Sequence, residues 1–387
     1  MKLHIFLFLV VLASACTPKQ NDISGALNGD LNAYKSYLYI VDPQSFENVV
    51  STYTGAIVDS IEIDSKGNFG HNLNPELKGR LLYMVVQKKE QRFNKNLVTA
   101  VPSLANFYPF VFNSNTIEIT GDIESLGLVK ASSTDSDNKS LEKTIHTWQK
   151  AYNNHLAKYT AESHGDLMVF ENDVKKYKQE LINFADTTTS VYASILASRL
   201  VSVDGDYERN YEFLVGLCNR WESDNDNYLL KGLCDLANSE NRPIIIGEKV
   251  PDFNLPLMNG NEANLYSLFG SKYTVIDLWA SWCAPCRKES RETLVPLYDK
   301  YSDQGLQIVG YALDADKGSW IKAIRRDDVG KWPQASHLQG DDAPFLDKMN
   351  ISTIPANLIV DDKGTVIAKD VHGAKLDTLI QKLFPNS

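Results

Sequence analysis

Cysteine is scarce in this chain of 387 residues: there are five, too few to staple a small disulfide scaffold and odd in number, so at least one has a separate fate. An excess of basic charge is also missing. Lys and Arg total 39 against 49 Asp and Glu, a formal net charge of −10, which disfavours a nucleic-acid partner because phosphate binding needs a net basic face. The seven histidines are scattered, and no second Cys-x-x-Cys or Cys/His pair accompanies the pair at Cys283 and Cys286, which argues against a metal site. His146, His155 and His164 recur every nine residues, two and a half helical turns, and read as solvated helix surface. What remains is an ordinary globular composition, 43% hydrophobic and 23% charged, over a length that suits two or three domains.

The first residues are of another kind. Lys2 precedes the apolar run Ile5–Leu12, which is too short to span a bilayer, and the small residues Ala13-Ser14-Ala15 lead to Cys16. This order reads as a secretory signal and resembles the lipobox of bacterial lipoproteins, although Ala13 stands where that family most often has Leu. The resemblance implies cleavage after residue 15, lipidation of Cys16, and a periplasm-facing membrane lipoprotein of the cell envelope. An ordinary cleaved signal peptide is the alternative. Residues 16–24 lack apolar periodicity and read as a tether. The remaining cysteines, Cys218, Cys234, Cys283 and Cys286, then sit where disulfides persist.

Three regions follow. Between residues 25 and 130, short runs such as Tyr37–Val41, Ala56–Ile63, Leu81–Val86 and Thr116–Ile119, separated by Gly, Asn and Pro, predict a small antiparallel β-domain. The order of strands resembles the β-domain fused ahead of secreted thioredoxin-like proteins in Bacteroidetes, which implies only a docking or spacer role. Ser132–Ser140 is rich in Ser and Asp and reads as a linker. From 141 to 240 the period changes to that of a helix: Leu141, Ile145, Trp148, Tyr152, Leu156 and Tyr159 mark one apolar face, and Val174, Tyr177, Leu181 and Phe184 another. Further helical patterns cover Ser190–Val201, Tyr207–Asn219 and Asn227–Ala237. Beyond Ile244, buried strands at Val275–Trp279 and Leu306–Tyr311 flank helical sequence at Pro285–Tyr301. Ala356–Val360, Gly364–Ala368 and a last helix near Leu376–Phe384 complete an α/β plan.

The chemistry concentrates at Trp282-Cys283-Ala284-Pro285-Cys286, directly after a predicted strand and at the start of a helix. At a helix N-terminus, unpaired N–H groups and the macrodipole stabilise a thiolate, which makes Cys283 the attacking sulfur. Two intervening residues let Cys286 reach back and resolve a mixed disulfide. Pro285 suits a first turn, where its missing N–H costs nothing.

Ile276–Cys286, then Thr353-Ile354-Pro355 and a hairpin turning at Asp361–Gly364, resemble the thioredoxin superfamily, most nearly its secreted TlpA/ResA-type disulfide reductases. Val250-Pro251-Asp252-Phe253 and the interval from Leu306 to Met349 fit that branch, with its N-terminal hairpin and central insertion. The resemblance covers residues 246–387, a little over a third of the chain. It implies a thioredoxin-like α/β domain, Cys283 as nucleophile, Cys286 as resolving thiol, and no cofactor beyond the redox-active pair. It further implies that Pro355 is a cis-proline facing the disulfide and that Ile354 offers its backbone to an extended substrate. Asp277 matches a buried acid that accepts the Cys286 proton through water, the alternative being a strand residue paired locally. Trp282 either packs beside the disulfide and limits access or is an ordinary core residue. Glu289 matches an acid near the thiols, or lies on a solvated helix face.

Cys218 and Cys234 fall on adjacent predicted helices, so a hairpin could join them in a structural disulfide; buried free thiols or an internal redox partner are the alternatives. The function expected is a tethered thiol–disulfide oxidoreductase that reduces protein disulfides. Family resemblance implies a membrane thiol transporter as electron donor and secreted proteins or apocytochromes as clients. A thiol peroxidase is disfavoured, because Ile276 and Ala280 stand where the peroxiredoxin pattern requires Pro and Thr. A docking protein with an accessory redox domain is the third reading.

Overall fold

The computed structural model describes residues 21–51, 55–92, 101–113, 115–159, 167–224, 226–240 and 242–385. The expected signal segment, Cys16 and His164 lie outside the described residues. The chain divides into two compact units, one ending at Gly205 and the other beginning at Asp206. No helix among the described residues is long and apolar enough to cross a membrane.

The first unit opens with eight strands: β1 (Ile23–Asn28), β2 (Tyr37–Asp42), β3 (Ala56–Glu62), β4 (Asn68–His71), β5 (Leu81–Val85), β6 (Phe107–Val111), β7 (Ile117–Asp122) and β8 (Lys130–Ser133). They form two four-stranded sheets, ordered β4-β1-β7-β8 and β3-β2-β5-β6. Pairing is antiparallel except between β1 and β7. The tether expected through residue 24 stops short of it, because Ile23 is fully buried and pairs with both His71 and Ile117.

Three helices follow: α1 (Ser136–His155), α2 (Leu167–Thr187) and α3 (Val191–Val201). Ser132–Ser140 is therefore not a linker. Its polar residues cap and dock a helix: Asp135 accepts from Asn138 N, and the Asn138 amide exchanges two hydrogen bonds of 2.8 Å with the Val111 backbone of β6. His155 also departs from the solvated-surface reading, lying 2.7 Å from Glu180 of α2.

The second unit begins with α4 (Tyr211–Arg220) and α5 (Tyr228–Ala237), so the break falls inside the helical stretch 141–240. Asn227 caps α5 through the N–H groups of Leu229 and Leu230. A disulfide joins Cys218 of α4 to Cys234 of α5, with Cα atoms 5.1 Å apart. Then come the hairpin β9 (Asn254–Pro256) and β10 (Glu262–Asn264), β11 (Tyr273–Trp279), α6 (Ala284–Glu289), α7 (Val295–Tyr301), β12 (Leu306–Ala312), α8 (Lys317–Arg326), β13 (Gln334–Ala335), α9 (Pro344–Met349), β14 (Ala356–Asp361), β15 (Val366–Lys369) and α10 (Ala374–Leu383).

The five-stranded sheet runs β13-β12-β11-β14-β15, with β11–β12 and β12–β13 parallel and the β14 pairings antiparallel. Its centre, β11, is buried along nearly its whole length, as its apolar run requires. The single helix expected over Pro285–Tyr301 is interrupted by a π turn at Ser290–Leu294, where Val295 N donates to Ser290 O. Pro296 explains the break: it has no N–H to donate and its ring crowds the carbonyl one turn back. The β14–β15 turn has Gly364 at φ +79°, while Asp361 accepts from the N–H groups of Lys363 and Thr365.

Candidate active site

β11 ends at Trp279, and four residues, Ala280–Cys283, hand the chain to α6. Cys283 is the N-cap of that helix, in extended conformation, and its Sγ accepts from Cys286 N at 3.3 Å. Sulfur thus sits on an N–H group of the first turn, the place where negative charge is best held. Cys283 and Cys286 are joined as a disulfide with Cα atoms 5.4 Å apart. Cys283 is 6% exposed and Cys286 2%, so the N-cap cysteine is the more accessible of the two. Trp282, at 64% exposure, is not a core residue; it stands on the surface next to Cys283.

Buried acids hold the active-site turn. Asp314 accepts from Ser281 N at 2.9 Å and from the Ser281 hydroxyl. Behind α6, Asp327 receives Arg287 Nε at 2.6 Å, Arg287 Nη2 at 2.9 Å and Arg291 Nη1 at 2.8 Å. Burial alone would raise the Asp327 carboxyl, but the two guanidinium groups outweigh it and hold the acid below its usual range. The sequence reading missed both contacts, because the partners lie 33 to 40 residues apart.

A second polar group lies on the strand side. Asp277, in mid-β11, is buried, and burial followed by the negative charge of Glu289 pushes its carboxyl well above the usual range. Asp277 is level with Asn357 of β14. The Asn357 side chain donates to Val371 O at 2.7 Å, accepts from Val371 N at 3.1 Å, and lies 3.4 Å from His372 Nδ1. His372 Nδ1 is 2.7 Å from Glu289 Oε2, and Gly373 N donates to Glu289 Oε1 at 3.0 Å. Glu289 closes α6 with its side chain only 10% exposed, so it does not lie on a solvated face. His372 and Asn357 were not singled out from the sequence, since neither carries a local pattern.

The Ile354–Pro355 peptide bond is cis. The antiparallel register pairs Leu278 with Ala356, so Thr353–Pro355 runs alongside the chain that leaves β11 towards Cys283. Cys283, Cys286, Pro355 and Ile354 thereby come to one end of the sheet, with Asp277 and Glu289 in the polar group described above. Cys218 and Cys234 are apart from that group, in the α4–α5 hairpin. Among the described residues, no cluster of three or more His, Cys, Asp or Glu could hold a metal ion.

Residues 246–369 match the model of the AhpC/TSA family. The chain is 28% identical over 144 residues to thiol-disulfide oxidoreductase ResA of Bacillus cereus, a match that covers 36% of this chain and 79% of the relative. It is 26% identical over 170 residues to thiol:disulfide interchange protein DsbE of Pseudomonas fluorescens, covering 41% and 90%. A solved C-terminal domain of a thiol-disulfide oxidoreductase from Bacteroides thetaiotaomicron is 31% identical, covering 37% of this chain and 98% of that one, with a TM-score of 0.35. The C-terminal region is thus a thioredoxin-like α/β domain, preceded by a β-sheet region and a helical region.

Proposed function

We propose that this protein is a thiol–disulfide oxidoreductase of the cell envelope, tethered by lipid on Cys16, that reduces protein disulfides through Cys283 and Cys286. The observation that carries the reading is Cys283 at the N-cap of α6 with its Sγ on the Cys286 N–H, next to the cis-proline loop. The relatives' names, thiol-disulfide oxidoreductase and thiol:disulfide interchange protein, support the same class.

In the reduced enzyme the Cys283 thiolate attacks one sulfur of the client disulfide. A Cys283–client bond forms, the client bond breaks, and the departing client sulfur takes a proton. Cys286 then loses its proton and attacks Cys283 Sγ, releasing the second client thiol and leaving the enzyme disulfide. Two electrons have passed to the client, and a dithiol donor, proposed to be a membrane thiol transporter, restores them. Asp277 is suited to receive the Cys286 proton, because a buried acid with a raised pKa binds a proton more readily than a solvated carboxylate. Reduction is the favoured direction, since Ala284 and Pro285 place no histidine between the cysteines to stabilise the reduced thiolate. The clients we propose are secreted proteins, apocytochromes among them.

Trapping tests the reading. A Cys286→Ala variant should accumulate client mixed disulfides on Cys283, and recovery of no such adduct from cells would sink a protein-disulfide role. Rapid peroxide consumption dependent on Cys283 alone would instead favour a peroxidase.

A further inference from the structure

The loop before β14, Ile351–Pro355, is held by residues outside the family match. Glu208, in a single 3-10 turn ahead of α4, directs both carboxylate oxygens at it. One accepts from Ser352 N at 3.0 Å and from the Ser352 hydroxyl; the other accepts from Thr353 Oγ1 at 3.0 Å and Thr353 N at 3.3 Å. Arg209 donates through Nη2 to Pro355 O at 3.3 Å and through Nε to Thr353 Oγ1 at 3.4 Å. The residue between, Ile354, keeps its N–H and C=O without a protein partner among the described residues.

The turn that carries Glu208 and Arg209 is itself anchored to the same unit. Tyr207 and Tyr211 on either side are buried. Glu212 lies 3.1 Å from Lys369 Nζ, at the end of β15, and accepts from Ile246 N at 3.3 Å. The Cys218–Cys234 bond closes the hairpin that follows. Arg209 is also one of the charges that act on the partly buried Asp370, together with Lys369, His372 and Glu208.

We propose that Glu208 and Arg209 form a strap that fixes the loop Ile351–Pro355 as a docking edge and makes the enzyme selective for extended polypeptide disulfides over small ones. Continuing the register that pairs Leu278 with Ala356 brings Ile354 level with Ala280, three residues from Cys283 in the chain. A donor and an acceptor left open there match the backbone of an extended chain, which adds to such an edge through main-chain hydrogen bonds. Glu208 occupies the two N–H groups before Ile354, and Arg209 occupies the carbonyl after it, so one pairing register is offered. The loop is ordered before the client arrives, so binding does not bear that ordering cost. A small disulfide reaches Cys283 without using Ile354 and gains nothing from the strap. Glu208 and Arg209 are positioning residues that act through the loop.

The inference rests on the oxidoreductase reading, and the test separates the two. Full-length protein and its Glu208→Ala and Glu208→Asp variants are assayed on hydroxyethyl disulfide and on a disulfide joining two extended fluorescent peptides. Glu208→Ala should raise KM for the peptide substrate about tenfold with kcat nearly unchanged, and Glu208→Asp should recover part of that loss. Rates on hydroxyethyl disulfide should stay within about twofold of wild type. Amide exchange at Ser352 and Thr353 should accelerate in Glu208→Ala, and the Ile354 amide should gain protection when the Cys286→Ala enzyme holds the peptide. An unchanged peptide KM, or an equal fall on both substrates, overturns the strap. Failure of the wild type to reduce either substrate overturns the oxidoreductase reading itself.

Discussion

Two buried polar arrangements, one from each unit, differ in what they can do. In the first, Asn138 exchanges two hydrogen bonds with the Val111 backbone, and Arg199 donates to the carbonyls of Val49, Glu47 and Val203. Each of these groups terminates on main chain, as a side chain does when it satisfies groups that neither strand nor helix pairs. In the second unit, Asp277, Glu289, His372 and Asn357 face one another, and one carboxyl is displaced from its usual titration range. Main chain offsets the cost of burial at Asn138, Arg199 and Asn357, and His372 with Gly373 N offsets it at Glu289, whereas Asp277 meets the like charge of Glu289 and so holds its proton more tightly. Only the second arrangement can exchange protons.

The largest expected effect lies at the sulfur. Cys283→Ser should lower disulfide reduction by at least about a thousandfold, because a hydroxyl at the helix N-cap is no thiolate, while Asn138→Ala should leave the rate of the full chain unchanged. A comparable loss in both would break the division of labour between the units. Next in size, the double variant Cys218→Ser/Cys234→Ser should lose about 3 kcal/mol in urea unfolding, with catalysis on a small disulfide preserved. Asp277→Asn should slow turnover about a hundredfold at neutral pH, read as a falling kcat with accumulation of the mixed disulfide.

Asp277→Asn also carries a pH signature. The folded state holds the Asp277 proton more tightly than the unfolded chain does, so the wild type loses stability as pH rises from about 4 towards the raised folded value. The variant should gain on the wild type over that window, and a constant difference across pH would remove Asp277 from the account. Asp327 has the opposite sign. Its carboxyl is held low by Arg287 and Arg291, so its contribution is present at neutral pH and is lost as pH falls below about 4 and through the folded value. The smallest effect belongs to the first unit: Asn138→Ala should cost about 2 kcal/mol, measured by urea unfolding, by stranding two backbone groups of β6.

The Cys283–Cys286 pair at the start of α6 was legible in the sequence because its parts are close together. An apolar run, a Cys-x-x-Cys and a helical period are short-range patterns that the backbone converts directly into strand, N-cap and helix. The Asp361–Gly364 turn was read for the same reason. The linker reading of Ser132–Ser140 failed because Ser, Asp and Asn serve equally as loop residues and as helix caps, and only the Val111 backbone of β6 decides between them. His155 was assigned to solvent because its partner Glu180 is on another helix.

The sequence by itself determined that this chain carries a paired-cysteine centre at a helix start, an α/β plan around it, and helices and short strands ahead of it. Tertiary structure alone decided that Asp277 is buried, that Glu289 meets His372 across 83 residues, and that Glu208 grips Ser352 across 144. The physical reason is that periodicity and capping act within a few residues. The charge environment of a buried acid and the partners of a loop are fixed only when distant strands close their register and bring those groups within hydrogen-bond reach.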